Sequence, residues 1–288
     1  MSGEKEYAFG EPLHEIMNRR VSVRSYTQTP VPSDIKEKIT AFFDAPDGPF
    51  APRTRFGLLD KTELKAKENI RLGTYGFIKG APLFAAAAVE DGERAMEQLG
   101  YVFEKLICFI TSLGLGTCWL GGSFNRGAFK KAMDLKGNEL MPAVAAIGYG
   151  AGSRTLVDFA INPSGKKRVR KSWGDLFFNG AFKQALKEQE AGAYALPLEM
   201  VRIAPSASNK QPWRVVLENG NYHFYLQHFK PYSNLFGVDI QKVDMGIAMF
   251  HFESSAREAG LAGSWQTLES AALEPPENCE YIITWVSA

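Results

Sequence analysis

Cysteine is scarce. The 288 residues hold three, Cys108, Cys118 and Cys279, far apart and odd in number. They form neither a disulfide framework nor a thiolate metal cluster, and a reducing cytoplasmic setting is the expectation. An excess of charge is missing too, with 33 basic against 32 acidic residues and a net charge of +1. No broad field therefore draws nucleic acid or an acidic membrane, and any anion must be held by a few placed side chains. No apolar run approaches the ~18 residues a membrane helix needs. Phe84–Val89 is apolar but short, as a buried strand is. Met1–Gly10 is charged without an apolar stretch, unlike a secretory signal. The histidines, His14, His223, His228 and His251, show no metal-ligand spacing. Gly114-Leu115-Gly116 fails the dinucleotide G-x-G-x-x-G pattern because Trp119 stands where the third glycine belongs. No Walker lysine follows it, and no G-x-S-x-G elbow occurs. Cys118, at an apolar helix end with no histidine near in sequence, reads as a buried structural thiol.

What is present is an internal repeat. Gln98–Trp119, QLGYVFEKLICFITSLGLGTCW, lies without gaps on Asp244–Trp265, DMGIAMFHFESSAREAGLAGSW. Gly100 falls on Gly246, Gly114 on Gly260, Leu115 on Leu261 and Trp119 on Trp265. Each copy reads as a buried helix ended by a left-handed glycine cap. Upstream, Ala45-Pro46 falls on Ala204-Pro205, Arg55 on Arg214 and Leu58 on Leu217. Downstream, Pro142–Ile147 and Glu280–Val286 are both strand-like. The expectation is an α+β fold of two related units in one chain, residues 1–178 and 179–288, with a helical polar segment Phe182–Glu190 linking them. Two such units would pack about a pseudo-twofold axis through the repeat helices.

The copies differ where chemistry would reside. Ala204–Trp213, APSASNKQPW, carries Ser206, Ser208, Asn209, Gln211 and Trp213, none of which has a counterpart in Ala45–Thr54. Hydroxyls, amides and an aromatic are the groups that line a heterocycle pocket, and two prolines stiffen the loop. Only the first copy opens with Arg19-Arg20-Val21-Ser22-Val23-Arg24-Ser25-Tyr26. An extended segment puts Arg20, Ser22 and Arg24 on one face, and arginine forks suit phosphate. Only the first copy is followed by a second basic cluster, Gly165–Lys171. This asymmetry predicts one composite site, with cations from one half and amides and hydroxyls from the other.

At these residues the chain resembles the FMN-dependent nitroreductase family, and within it the branch in which two nitroreductase units are fused. RRVSVRSY is similar to the family's R-R-x-S-x-R-x-[FY] opening. APSASNKQPW resembles its A-P-S-x-x-N-x-Q-P-W loop, GLGTCWLGG its G-L-G-T-x-W-[IL]-G turn, and AAIGYG its strand ending in G-Y. The resemblance implies a nitroreductase-like pseudo-dimer with FMN as cofactor and NAD(P)H as co-substrate. It implies that Arg19, Arg20, Ser22 and Arg24 serve the phosphate, ribityl and pyrimidine edge, with Lys166 and Arg168 supporting the phosphate. Leu120, Gly121 and Gly122 would pass close to the ring, with Pro205, Ser206, Ser208, Asn209 and Gln211 contributed by the other unit. Arg24 would stabilise charge on reduced flavin; no protein nucleophile or acid is implied. The partner would be a small electron acceptor such as a nitroaromatic or quinone. Lacking an arginine motif before Pro197, the chain is expected to hold one FMN. A non-catalytic flavin store, carrier or sensor, and a flavin-free scaffold, stay open at this point. Phe229–Asp239, with Tyr232 and Phe236, either caps the cleft or is a plain surface loop.

Overall fold

A run such as Leu83–Glu90, with four successive alanines and no charge before its last residue, suits a strand covered on both faces. In the computed structural model it is β2, buried along all but that last residue. The structure describes residues 9–43, 47–152, 169–230, 237–268 and 275–288. Ala45-Pro46, Lys166, Lys167, Arg168, Tyr232 and Phe236 lie outside the described residues.

By their internal contacts the residues separate into two units. The first comprises Met1–Asp47, Pro52–Glu93 and Val102–Lys167; the second comprises Gly48–Ala51, Arg94–Tyr101 and Arg168–Ala288.

The first unit is organised on an antiparallel sheet. β1 (Thr54–Asp60) pairs with β2 along its length, from Thr54 opposite Val89 to Asp60 opposite Leu83. β5 (Val144–Gly148) pairs with β2, β3 (Gly116–Leu120) pairs with β5, and the short β4 (Glu139–Leu140) pairs with the end of β2. The helices are α1 (Leu13–Arg19), α2 (Ser33–Phe42), α3 (Lys61–Glu68), α5 (Arg126–Ala132) and the greater part of α4 (Ala95–Ser112). Asp60 caps α3 by accepting from the Thr62 and Glu63 amides, and Asn125 caps α5 by accepting from that of Ala128. Phe84, Phe124, Phe129, Leu120 and Val144 fill the core against the alanines of β2.

The second unit carries a six-stranded sheet in the order β10-β11-β9-β8-β6-β7. Its strands are β6 (Phe177–Asn179), β7 (Ala181–Ala185), β8 (Trp213–Glu218), β9 (Asn221–Gln227), β10 (Gly263–Gln266) and β11 (Cys279–Ser287). Its helices include α6 (Trp173–Leu176), α7 (Ala195–Ile203) and α8 (Ile240–Glu258). Phe224, Phe252, Trp265 and Trp285 interlock by edge-to-face and tilted contacts with centroids 5.1 to 6.0 Å apart.

Phe182–Glu190, expected to be helical, is not. Its first half belongs to edge strand β7, which turns back at Gly180 to pair with β6, and only Glu188–Tyr194 forms 3-10 turns. β6 pairs in parallel with Val215–Leu217 of β8, so Phe177–Asn179 joins the second sheet. The boundary expected at residue 178 thus falls inside the β6–β7 hairpin.

The repeat reappears as matched backbone geometry. α4 ends with Gly114 donating to the Thr111 carbonyl and Leu115 to that of Ile110, at 3.0 and 3.3 Å. α8 ends with Gly260 donating to Arg257 and Leu261 to Ala256, both at 2.9 Å. Both glycines hold left-handed φ, +80° and +74°. Within the second unit the start of α4 crosses α8 at the repeat's other glycines. A Cβ on Gly100 would stand 2.1 Å from the Val243 carbonyl oxygen, and one on Gly246 would stand 2.0 Å from that of Glu97. Val243 and Glu97 are themselves equivalent in the repeat, so the crossing is two-fold in pattern.

Candidate functional site

In the first unit the arginine segment leaves α1 at Arg20, whose φ of −59° and ψ of 122° break the helix into extended backbone. Val23 then donates to the Thr117 carbonyl at 2.8 Å, beside a parallel bridge between Ser22 and Thr117. Ser25 bridges Lys79, and Tyr26 bridges Gly150. Three of the resembling motifs meet here by packing. A Cβ on Gly116 would lie 2.8 Å from Val23, and one on Gly148 would lie 2.7 Å from Pro82 and 3.0 Å from Tyr26. The buried Tyr26 hydroxyl donates to the Ala146 carbonyl at 3.2 Å, and burial pushes its pKa well up.

The arginines have separate fates. Arg19 is half-exposed and grips Glu11 with both nitrogens, at 2.6 and 2.5 Å, which holds the Glu11 carboxyl below its usual range. Arg20 is 8% exposed. Its Nε lies 3.7 Å from Oε1 of the fully buried Glu104, while Glu104 Oε2 accepts from the Trp119 indole at 2.7 Å. Neither Nε nor Nη1 of Arg20 has a hydrogen-bond partner among the described residues. Buried guanidinium donors are rarely left so. Arg24 is partly buried, and its carbonyl accepts from the Lys79 amide at 2.8 Å. Cys118 is buried, as expected of a structural thiol.

Leu120 ends β3 in the core, and Gly121 and Gly122 follow at the surface. This turn is clamped by Arg126, which donates to the carbonyls of Gly121, Met141 and Pro142 at 2.6, 3.0 and 3.2 Å. The guanidinium lies 4.7 Å from the centroid of Phe124, and burial lowers its pKa. Nothing in the sequence singles out this arginine, because its partners are carbonyls with no side-chain signature.

In the second unit the loop after α7 is tightly folded. Pro205 is buried, and the Ser206 hydroxyl accepts from the Gln211 amide at 2.9 Å. Ser208, Asn209 and Gln211 all hold positive φ, +48°, +58° and +50°. Three non-glycine residues in that region within four positions mark a strained loop. Its side-chain amides are engaged. Asn209 Oδ1 accepts from Arg170, and its Nδ2 donates to the Val169 carbonyl at 3.0 Å. Gln211 Oε1 accepts from the Lys171 amide at 2.8 Å, and its Nε2 donates to the Asn209 carbonyl at 3.1 Å. Arg170 also donates to the Ile203 carbonyl at 2.6 Å. The loop and the end of the basic cluster are therefore one assembly.

Burial, with Arg214 and Lys210 nearby, lowers the Lys171 pKa to about 8. Its ammonium lies 5.2 Å from the centroid of Phe229, and that of Lys210 lies 5.6 Å from it. The loop hangs from Asp244, a buried carboxyl whose oxygens accept from the Ala207 amide at 3.0 and 3.2 Å. Burial drives its pKa well up. Asp244 could have been found in the sequence as a polar residue matched to polar Gln98 at the start of the repeat.

The family model described as "Putative TM nitroreductase" matches residues 12–256. A solved nitroreductase from Thermotoga maritima, described as putative, is 18% identical with a TM-score of 0.62, over 96% of this chain and 93% of its own. A nitroreductase with bound FMN from Bacteroides fragilis is 20% identical with a TM-score of 0.41, over 56% of this chain and 96% of its own. No curated protein matches. No helix among the described residues is long and apolar enough to cross a membrane. With the family model spanning most of its length and the fold shared along almost all of it, the chain belongs to the "Putative TM nitroreductase" family and has a nitroreductase-like α+β fold.

Proposed function

We propose that this protein is an FMN-dependent oxidoreductase that passes reducing equivalents from NAD(P)H to a small acceptor such as a quinone or nitroaromatic. Family membership supports the oxidoreductase class. The observation that carries the flavin is Arg20: two buried guanidinium nitrogens without hydrogen-bond acceptors among the described residues, on the segment that resembles the family's phosphate motif. An anionic, oxygen-rich ligand is what such donors need.

Arg20, Ser22 and Arg24 would hold the phosphate, ribityl and pyrimidine edge, with Lys166 and Arg168 adding charge at the phosphate. The Leu120-Gly121-Gly122 backbone, aimed by Arg126 through the Gly121 carbonyl, would line the ring. Pro205, Ser206, Ser208, Asn209 and Gln211 are proposed to contribute to flavin retention. Part of that role is indirect, because Asn209 and Gln211 brace Val169–Lys171, the residues next to Arg168. When bound, FMN supplies the hydride chemistry, and the protein's part is to place it and tune its charge. A cation such as Arg24 near the pyrimidine edge favours the reduced form.

The test is the absorbance spectrum and flavin-to-chain ratio of the purified protein, followed by NAD(P)H without oxygen. Yellow protein with about one FMN per chain that bleaches near ~450 nm, where oxidised flavin absorbs, supports the reading. Colourless protein that takes up no FMN overturns it.

A further inference from the structure

We propose that Lys171 and Lys210 in the second unit, with the charge of Arg214 beside them, bind a phosphate monoester dianion other than the flavin's. Its source is free phosphate or the 2′-phosphate that distinguishes NADPH from NADH. Only the second source rests on the function proposed above.

The repeat exposes a local excess of positive charge. Arg55 in the first copy gives two bonds of 2.6 Å to the Glu139 carboxylate, so its charge is answered. Arg214, its counterpart, is buried and donates to the carbonyls of Gln211 and Trp213, at 3.1 and 2.6 Å, and to the side-chain oxygen of Gln227. All three acceptors are uncharged. The Lys171 ammonium likewise donates to the Gln211 carbonyl, at 3.5 Å. The carboxylate that acts on both cations, Asp175, is exposed and already accepts from the Ser172 amide and hydroxyl at 3.2 and 2.7 Å.

Lys210 falls on Ala51 of the first copy, so it is a charge that only the second copy carries. Its ammonium and that of Lys171 approach one ring, 5.6 and 5.2 Å from the Phe229 centroid. A ring face attracts both cations but supplies no countercharge. The three groups are held in place by their backbones. Lys210 stands between left-handed Asn209 and Gln211, the Lys171 amide donates to Gln211 Oε1 at 2.8 Å, and the Phe229 amide donates to the buried Gln241 Oε1 at 2.7 Å. Strain and desolvation thus keep like charges together, an arrangement that an anion completes.

Lysine is a compact donor without the planar fork of arginine, and it suits a tetrahedral oxyanion met from several sides. Two ammoniums and a guanidinium match a monoester, with its charge of about −2 at neutral pH, better than a carboxylate.

The experiment uses the purified full chain. Lysine-ammonium NMR follows the Lys171 pKa with and without inorganic phosphate, and calorimetry gives affinities for inorganic phosphate, NADP+, NAD+ and FMN. Phosphate should raise the Lys171 pKa, because a bound dianion favours the charged amine. Lys171→Met and Lys210→Met, which keep the apolar stem, should each weaken phosphate binding about tenfold, and Lys210→Arg should stay within about threefold. NADP+ bound about tenfold more tightly than NAD+, with the preference lost in both methionine variants, supports the dinucleotide as source. Equal binding of the two alongside a phosphate response supports free phosphate. A wild-type Lys171 pKa indifferent to phosphate overturns the proposal without any variant having to fold. FMN affinity that falls in step with phosphate affinity assigns these cations to the flavin phosphate and overturns it as well. Protein that takes up no FMN yet binds phosphate through Lys171 sinks the proposed function and leaves this site standing. A flavoprotein reduced by NAD(P)H whose lysines ignore phosphate does the reverse.

Discussion

Two loops in the second unit occupy equivalent places in the repeat, and each hangs from an equivalent side chain. Gln98 near the start of α4 accepts from the Phe50 amide at 2.9 Å; Asp244 near the start of α8 accepts from the Ala207 amide. The first loop uses a neutral amide, and residues 47–52 hold no left-handed non-glycine residue. The second uses a buried carboxyl, and three of its residues are left-handed. The two copies of the repeat thus share the suspension point and differ in the tension on it. Strain and a buried carboxyl are associated with the loop whose amides grip the basic segment, and the relaxed loop has none of those amides. That asymmetry is what a single surviving ligand site would leave behind.

The strongest test of the pairing is at the crossing itself. Gly100→Ala and Gly246→Ala each drive a methyl group onto a backbone carbonyl that cannot move without shifting a helix. Each should cost about 3 kcal/mol in urea unfolding, the upper part of the usual overpacking range. Equal costs would confirm a two-fold crossing; a silent substitution on one side would break it.

The suspension points should separate by pH. Burial raises the Asp244 pKa above its ordinary 3.8, so the folded chain holds that proton more tightly than the unfolded chain. Its contribution to stability is complete below about pH 4 and is lost as pH rises towards the folded pKa. One proton gives a slope of at most about 1.4 kcal/mol per pH unit. Asp244→Asn should remove that slope, and Gln98→Glu should introduce one on the opposite side of the repeat. Denaturation midpoints from pH 4 upward read both, and an unchanged profile in Asp244→Asn would remove Asp244 from the account.

Flavin retention is expected to follow the strained loop alone. Asn209→Ala removes the acceptor for Arg170 and the donor to Val169, and should weaken FMN binding about tenfold, ~1.4 kcal/mol. Phe50→Ala in the relaxed loop should leave FMN affinity within twofold. Equal losses in dialysis or fluorescence titration would mean that the two loops had not diverged in function.

Much of this comparison was legible in the sequence, because glycine, proline and tryptophan at fixed spacing report backbone constraints directly. The caps at Gly114 and Gly260, the strands at Pro142–Ile147 and Glu280–Val286, and the contrast between the loops all follow from such residues. Phe182–Glu190 was misleading because its polar composition suits an exposed helix and an edge strand alike, and pairing with β6 decides between them. Arg126 and Glu104 were invisible for another reason. Their roles come from carbonyls and an indole brought together by folding, and no local spacing encodes that.

The smallest expected effect concerns the tryptophans that close the two copies. Trp119 and Trp265, matched in the repeat, each donate an indole N–H to a glutamate of the preceding helix at 2.7 Å. The glutamates are not matched. Glu104 is fully buried beside Arg20, whereas Glu253 lies where Ile107 stands in the first copy and also takes the Tyr101 hydroxyl and the surface-reaching Arg257. Glu253→Gln keeps an acceptor for the indole and the hydroxyl and loses only the pairing with Arg257. It should cost about 1 kcal/mol or less, because the lost partner, Arg257, is itself largely exposed. Glu104→Gln also keeps the indole bond but leaves the Arg20 charge buried without its neighbour, which belongs to a costlier class of change. The difference between the two substitutions in urea therefore measures what Arg20 requires, with the indole bonds common to both. Added FMN should shrink that difference if the flavin phosphate shares the Arg20 charge, and should leave it unchanged if the phosphate lies elsewhere.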